Sequence, residues 1–140
     1  MVPVAIKHPA ALASALALSL GLAACGSTVS TTNFKGESHN VAQAIANLQS
    51  DATTGSQSKI CDNDLASSVL AKLKANGSTC QQALKDQLNQ IDNFDVTVQS
   101  ITVNGTTATA KVKSTYLGKS RAGTLQLIKE GKTWKVASLG

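Results

Sequence analysis

The chain has 140 residues, of which 42% are hydrophobic, 15% charged and 3% aromatic, and its formal net charge is +5. This length suits one small domain. The ordinary apolar content and modest net charge argue against a disordered chain, and no pattern supports a collagen-like, coiled-coil or multi-span membrane protein. A haem or flavin pocket is hard to assemble from four aromatic side chains.

The first segment of the chain has the features of an export signal. Residues 10–24 form an uncharged apolar run of fifteen residues, and Lys7 and His8 are the basic side chains of the short lead before it. A helix of this length extends about 22 Å, short of the ~30 Å hydrocarbon core of a bilayer. Such a length is typical of the apolar part of a signal peptide. The run ends in Leu-Ala-Ala-Cys25, which resembles the bacterial lipobox.

This resemblance implies that residues 1–24 are a lipoprotein signal peptide and that the Cys25 thiol receives a diacylglycerol. Because each buried CH₂ contributes ~0.8 kcal/mol, two or three acyl chains would hold the protein at a membrane surface. The expected location is the extracytoplasmic face of a bacterial cell membrane. An ordinary secretory signal with an incidental Cys25 is the alternative.

The two other cysteines, Cys61 and Cys80, would then lie in an oxidising compartment, where thiols pair. A disulfide between them would close a 20-residue loop and stabilise the fold by about 3 kcal/mol. A metal pair and a catalytic thiol are the alternatives. Both need further partners, and His39 is the single histidine after Cys25. The sequence predicts no metal site and no cofactor.

Residues 26–37 are rich in Ser, Thr and Gly and lack an apolar period, which predicts a lipidated flexible tether over 25–37. A single domain is expected over 38–140. Helical spacing of apolar residues predicts a first helix through Val41, Ile45, Leu48 and Ala52. A second helical segment is expected over 57–75, with a bend near Asn63-Asp64.

A third helix is expected to begin at Ser78-Thr79, because Thr79 and Gln82 fit a capping box. Its buried stripe would contain Leu84, Leu88 and Ile91. Cys80 would lie in its first turn, so the disulfide would join the second and third helices.

After Asn93 the apolar period changes to two, which predicts strands. The first would extend from Phe94 to Val103 with a register break at Gln99-Ser100, followed by a hairpin turn at Asn104-Gly105. Three further strands are expected over 107–116, 121–128 and 133–139. The order α-α-α-β-β-β-β predicts an α+β domain, in which N-terminal helices pack on a curved four-stranded antiparallel meander.

Several residues carry a family resemblance over about residues 40–140. They are Cys61 with the following Leu65, Val69 and Leu73, the segment Gly77-Ser-Thr-Cys80, and the ending Gly131-Lys-Thr-Trp134-Lys-Val136. The chain resembles small actinobacterial lipoproteins of the nuclear-transport-factor-like superfamily, which includes SnoaL-like proteins. This resemblance implies the cystatin-like cone, whose curved sheet can enclose a pocket. It implies no shared reaction, because function on one fold varies with the site.

Enzymes of that superfamily use carboxylates, tyrosine and histidine in the pocket. This chain offers Tyr116, Asp92, Asp95 and His39, but no two are spaced so as to indicate a catalytic dyad. No catalytic residue is therefore predicted. Tyr116 and Trp134 are the candidate pocket residues.

The positive charge is concentrated in the strands. Residues 96–140 hold seven Lys and Arg against one Glu, a net charge of +6, whereas residues 41–95 hold four Lys against six Asp, a net charge of −2. The candidate basic patch consists of Lys111, Lys113, Lys129, Lys132 and Lys135. It is either a solvated outer sheet face or a surface for anionic lipid headgroups or envelope polymers. No nucleic-acid partner is expected, since no aromatic side chains are interleaved with the lysines.

The sequence therefore predicts a membrane-anchored extracytoplasmic lipoprotein that acts as a non-enzymatic ligand-binding or protein-interaction module of the cell envelope. One alternative is a small pocket enzyme of isomerase or dehydratase type, or a degenerate relative of one. Another is a structural or inhibitor protein of the envelope. The expected partners are the membrane, through the lipid anchor, and an anionic polymer, a small ligand or an envelope protein.

Overall fold

The computed structural model describes residues 29–89, 95–116 and 118–139. Within these residues, four helices come first: α1 (Glu37–Thr53), α2 (Gln57–Lys59), α3 (Ser67–Ala75) and α4 (Cys80–Leu88). Four strands follow: β1 (Asp95–Asn104), β2 (Thr107–Tyr116), β3 (Lys119–Glu130) and β4 (Thr133–Leu139). They form one antiparallel sheet in the order β1-β2-β3-β4. The predicted α+β class and the four-stranded meander are confirmed.

Helix α1 packs its apolar face on the sheet. Val41 and Ile45 are fully buried, because residues four apart lie on one side of a helix. The helix begins at Glu37, and Val29 is also buried among the core residues. Val29, which the sequence pattern assigns to the tether, therefore packs on the core, whereas most of residues 30–37 are exposed. A lone valine among Ser and Thr has no period that could reveal its burial.

The second helical segment is divided, not merely bent. Helix α2 continues into a π-helical turn, Ile60–Asp64, and the chain is extended at Leu65 before α3 begins. Leu65 forms a parallel bridge with Val136, and the Ala66 N–H donates to the Val136 carbonyl oxygen at 2.8 Å. The break lies next to the predicted bend, and it gives the outer edge of β4 a backbone partner.

Helix α4 begins with the predicted capping box. The Gln82 N–H donates to the Thr79 hydroxyl at 3.2 Å, and the Thr79 N–H donates to the Gln82 side-chain oxygen at 3.1 Å. The predicted disulfide between Cys61 and Cys80 is present and joins the π-helical turn to α4. Leu84 and Leu88 are only partly buried against the core, and Ile91 lies outside the described residues.

The sheet confirms the register break of β1, which lies between Val98 and Ser100. The β1–β2 turn is centred one residue later than predicted, because Asn104 pairs with Thr107 and leaves Gly105 and Thr106 as the turn. Gly105 has a φ of 60°, which a side chain would disfavour. Strand β3 is longer than the predicted 121–128, and its pairing with β4 contains an unpredicted irregularity at Gln126/Leu127.

The core lies between α1 and the inner face of the sheet. That face presents Val96, Ala108, Ala110, Val112, Leu125, Leu127, Trp134 and Val136, all buried. The family resemblance implies that this inner face can enclose a pocket. In this structure the face is packed with apolar side chains. No helix within the described residues is long and apolar enough to cross a membrane. The predicted signal peptide (1–24) and Cys25 lie outside the described ranges.

Candidate functional site

A polar groove lies between α1, the π-helical turn and the start of β4. It has a cavity volume of about 310 Å³, and four side-chain amides line it together with Asp64 and Trp134. We call it the amide groove; its amides belong to Asn40, Gln43, Asn47 and Asn63. A second cavity of about 470 Å³ adjoins it, and Asn47, Asn63 and Asp64 line both.

The amides of α1 face the groove because of helical spacing. Asn40, Gln43 and Asn47 are three and four residues apart, so they form one stripe beside the buried stripe of the same helix. The Gln43 Nε2 donates to the Asn47 Oδ1 at 3.1 Å, which orients both amides. Asn63 and Asp64 reach the groove because the π-helical turn packs against α1.

Asp64 is the most unusual ionisable side chain of this region. It is 5% exposed, and its Oδ2 has no hydrogen-bond partner within the described part of the chain. Burial raises the pKa of Asp64 to about 7; the neighbouring Asp51 carboxyl adds to this rise, and Lys135 and Lys59 oppose it. Because its pKa is raised to about 7, Asp64 holds a proton at mildly acidic pH. We call Asp64 and the neighbouring Asp51 the acid pair.

Glu37, the first residue of α1, holds the groove residue Trp134 in place. Its Oε2 accepts a hydrogen bond from the indole Nε1 of Trp134 at 2.7 Å, and its Oε1 accepts one from the Lys129 Nζ at 2.9 Å. The hydrogen bonds from Lys129 and Trp134 lower the pKa of Glu37. The Lys129 Nζ also lies 5.8 Å from the centroid of the Trp134 ring. Trp134 is 3% exposed, so it serves as a fixed wall of the groove.

The structure separates the two predicted pocket residues. Tyr116 pairs with Lys119 at one end of β3, and Trp134 pairs with Lys129 at the other. Ten residues separate these two positions along β3, which corresponds to about 33 Å at ~3.3 Å per residue. The backbones of Tyr116 and Trp134 therefore lie at opposite ends of the sheet, and Trp134 is the one of the two candidate pocket residues that lines the amide groove.

The other residues considered for proton transfer are also dispersed. The His39 Nδ1 lies 3.0 Å from the Thr31 carbonyl oxygen, outside the amide groove. Asp95 is exposed at the start of β1, and Asp92 lies outside the described residues. Over the described ranges, no group of three or more His, Cys, Asp or Glu side chains could hold a metal ion.

The five lysines of the candidate basic patch occupy different surfaces. Lys111 and Lys113 are exposed on β2, on the face opposite to the buried Ala110 and Val112. The other three lie near the β3–β4 turn, where Lys129 binds Glu37, the Lys135 Nζ donates to the Asp62 carbonyl oxygen at 3.1 Å, and Lys132 lines the amide groove. By strand alternation Lys111, Lys113 and Lys135 lie on the outer face of the sheet, Lys129 lies on the inner face, and Lys132 lies in the β3–β4 turn.

Sequence reasoning missed the amide groove and the acid pair. The polar side of α1 has the pattern of an ordinary solvated helix face, and Asp64 stands out only as part of a polar bend. The signal in the sequence that could have indicated the groove is the helical spacing of Asn40, Gln43 and Asn47, which places three side-chain amides on one stripe of α1. The sequence alone does not show that the π-helical turn and β4 meet this stripe.

Residues 63–139, more than half of the chain, match one protein family. The match includes Asn63, Asp64 and the β4 side of the amide groove, whereas α1 lies outside it. Comparison with curated proteins finds no match. The four-stranded antiparallel sheet fits the fold of the matched family. The chain therefore belongs to the SnoaL-like, nuclear-transport-factor-like family described as putative lumazine-binding.

Proposed function

We propose that this protein is a lipid-anchored, extracytoplasmic binding module without catalytic activity, and that its amide groove takes a small, planar, polar heterocycle of the lumazine class. One observation carries the ligand proposal: four side-chain amides and the Asp64 carboxyl line the same cavity. Each amide offers both donors and an acceptor. A lumazine presents the matching groups, because its rings carry N–H groups, ring nitrogens and carbonyl oxygens.

The size and position of the groove support this choice. A cavity of about 310 Å³ lies at the lower end of the ~300–1,000 Å³ range of small-molecule sites. The inner face of the sheet is filled by the apolar core, which leaves the polar groove as the better candidate. The description of the matched family, which names lumazine binding, supports the same ligand class.

Calorimetric titration with lumazine tests the ligand proposal. The full chain carrying Cys25→Ser provides an unlipidated parent. Asn47→Leu removes an amide that lines both cavities, and it is expected to weaken binding about tenfold or more, because a hydrogen bond between ligand and protein contributes ~1.4 kcal/mol or more. Leucine is a good helix former, so α1 should persist.

Gln126→Leu is the matched control for this titration. It makes the same change from amide to leucine at an exposed position of β3, where the Gln126 side chain accepts a hydrogen bond from Thr109 at 3.0 Å. Lumazine affinity is expected to match the parent. Equal weakening in both variants, or a parent that does not bind lumazine, would contradict the proposal.

The lipobox-like sequence at 22–25 and the apolar run before it support the anchor. Intact mass of the protein from the membrane fraction tests it. The expected mass is that of residues 25–140 plus acyl chains. An unacylated chain, or one that retains residues 1–24, would contradict lipidation at Cys25.

The acid pair favours a second candidate function. A carboxyl with a raised pKa beside another carboxyl is a common arrangement for general acid–base catalysis. Asp64 lines both cavities, and Asp51 lines the adjoining cavity of about 470 Å³. A small pocket enzyme would alter its ligand. Chromatography of lumazine recovered after incubation distinguishes the two functions: unchanged ligand supports a binding module, and a new product that disappears in Asp64→Asn supports the enzyme.

A further inference from the structure

We infer that one end of the domain contacts the membrane, where Lys35 and Lys132 face anionic lipid headgroups. In this orientation the amide groove opens beside the bilayer surface. This inference rests on the proposed lipid anchor at Cys25. It adds an orientation and a lipid contact, neither of which follows from the anchor alone.

The length of chain between the anchor and the core limits the position of the domain. Val29 is 6% exposed and belongs to the core cluster, and Cys25 lies four residues before it. Four residues span at most about 14 Å. A domain of this size has a radius of gyration of about 13 Å. The anchor therefore holds the side of the domain near Val29 at the bilayer, and the opposite side cannot reach it.

Hydrogen bonds identify which end of the domain Val29 belongs to. Thr31, two residues later, contacts His39 in the first turn of α1 through its carbonyl oxygen, at 3.0 Å from the Nδ1. Glu37 in the same turn binds Lys129 and Trp134 beside the β3–β4 turn. Residues 29–36, the start of α1 and the β3–β4 turn thus form one end, which we call the anchor end.

The charge of the anchor end suits an anionic surface. Lys35 and Lys132 are exposed there, Lys129 is paired with Glu37, and Glu130 accepts hydrogen bonds from Ser67, so the five charged residues of this end carry a net charge of +1. Anionic bilayers attract basic side chains held within a Debye length of about 8 Å. The β2–β3 turn with Lys119 lies at the other end of β3, eleven residues from Glu130.

The orientation has a consequence for the ligand. Lys132 lines the amide groove, as does Asn40 in the first turn of α1. The groove therefore begins at the anchor end, next to the headgroups. A ligand would enter it from the layer of solution at the membrane surface.

Lysine acetylation followed by mass spectrometry tests the orientation. The lipidated protein is reconstituted in vesicles of phosphatidylcholine and phosphatidylglycerol, and the unlipidated Cys25→Ser chain in solution is the reference. On the vesicles, acetylation of Lys35 and Lys132 is expected to slow several-fold. Lys119, exposed at the far end, is the internal control and is expected to react at the reference rate. Equal rates at the three lysines, or protection of Lys119 alone, would overturn the inference.

Two comparisons separate the parts of this test. Vesicles of phosphatidylcholine alone lack the anionic headgroups, so protection of Lys35 and Lys132 is expected to weaken; unchanged protection would overturn the headgroup contact. Flotation of the vesicles reports the anchor itself. Protein that does not float would overturn both the anchor and the orientation, whereas floating protein with evenly reactive lysines would overturn the orientation alone.

Discussion

Replacing Asp64 with Asn is expected to stabilise the protein at about pH 8, by about 2 kcal/mol or more, and to remove most of the pH dependence of its stability. The asparagine amide keeps the shape of the carboxyl and is neutral at every pH. Its NH₂ group can also donate a hydrogen bond to the Asp51 carboxylate. The buried Asp64 carboxylate has to be desolvated when it ionises, and the amide does not.

The sign of the effect follows from proton binding. Burial raises the pKa of Asp64 from 3.8 to about 7. Between these two values the folded protein binds a proton that the unfolded chain has lost, so the free energy of unfolding decreases as pH rises from about 4 through 7. The total decrease in the free energy of unfolding is at most about 4 kcal/mol, because each unit by which the pKa is raised contributes ~1.36 kcal/mol.

Urea unfolding of the parent and the variant at about pH 5 and pH 8 measures this effect. Asp86→Asn is the control, because it makes the same substitution at an exposed position of α4 and is expected to keep the pH dependence of the parent. If Asp64→Asn kept that dependence as well, the proton would be held elsewhere and the acid pair would be the wrong explanation.

Loss of the Cys61–Cys80 disulfide is expected to lower the free energy of unfolding by about 3 kcal/mol. The bridge closes a 20-residue loop, and its removal restores the conformational entropy of that loop in the unfolded chain. For a domain of this size the melting temperature should fall by roughly 12–24 °C. Helix α4 should be affected most, because Leu84 and Leu88 are only partly buried against the core.

The measurement compares thermal unfolding of the full chain with its three native cysteines before and after reduction, with free thiols counted in both samples. The double variant Cys61→Ser and Cys80→Ser removes the disulfide without a reductant and is expected to lower the melting temperature by the same amount. Cys25→Ser alone is the control and is expected to leave the melting temperature unchanged. A reduced protein with free thiols and an unchanged melting temperature would contradict the structural role of the bridge.

The features that the sequence predicts well depend on neighbouring residues. The capping box needs only Thr79 and Gln82, and the register break of β1 shows in the apolar alternation itself. The disulfide follows from the number of cysteines and the proposed compartment. Strand β4 has its predicted bounds, because the alternation of Trp134 and Val136 with polar residues continues over its whole length.

The features that the sequence does not predict depend on contacts between distant segments. The break at Leu65 is stabilised by pairing with Val136, which lies 71 residues later. Asp64 is buried only because the C-terminal half of α1 and the start of β4 close around it. The acid pair and the amide groove therefore need the folded chain.

Residue numbers alone separate Lys129 from the lysines of β2. Lys129 has the same parity as the buried Leu125 and Leu127, so alternation along β3 places it on the inner face with them. It therefore cannot share an outer face with Lys111 and Lys113. Proximity along the sequence near the last hairpin was a weaker guide than strand alternation.

The most direct test of the account is to observe which side-chain amides contact the ligand. Nuclear magnetic resonance of the ¹⁵N-labelled Cys25→Ser chain resolves the NH₂ groups of Asn and Gln, and lumazine is added in steps. The account predicts shifts for the groove amides of Asn40, Gln43, Asn47 and Asn63, and none for Gln126 on the outer face of β3. Shifts that leave the groove amides unchanged, or no shifts at saturating lumazine, would contradict it.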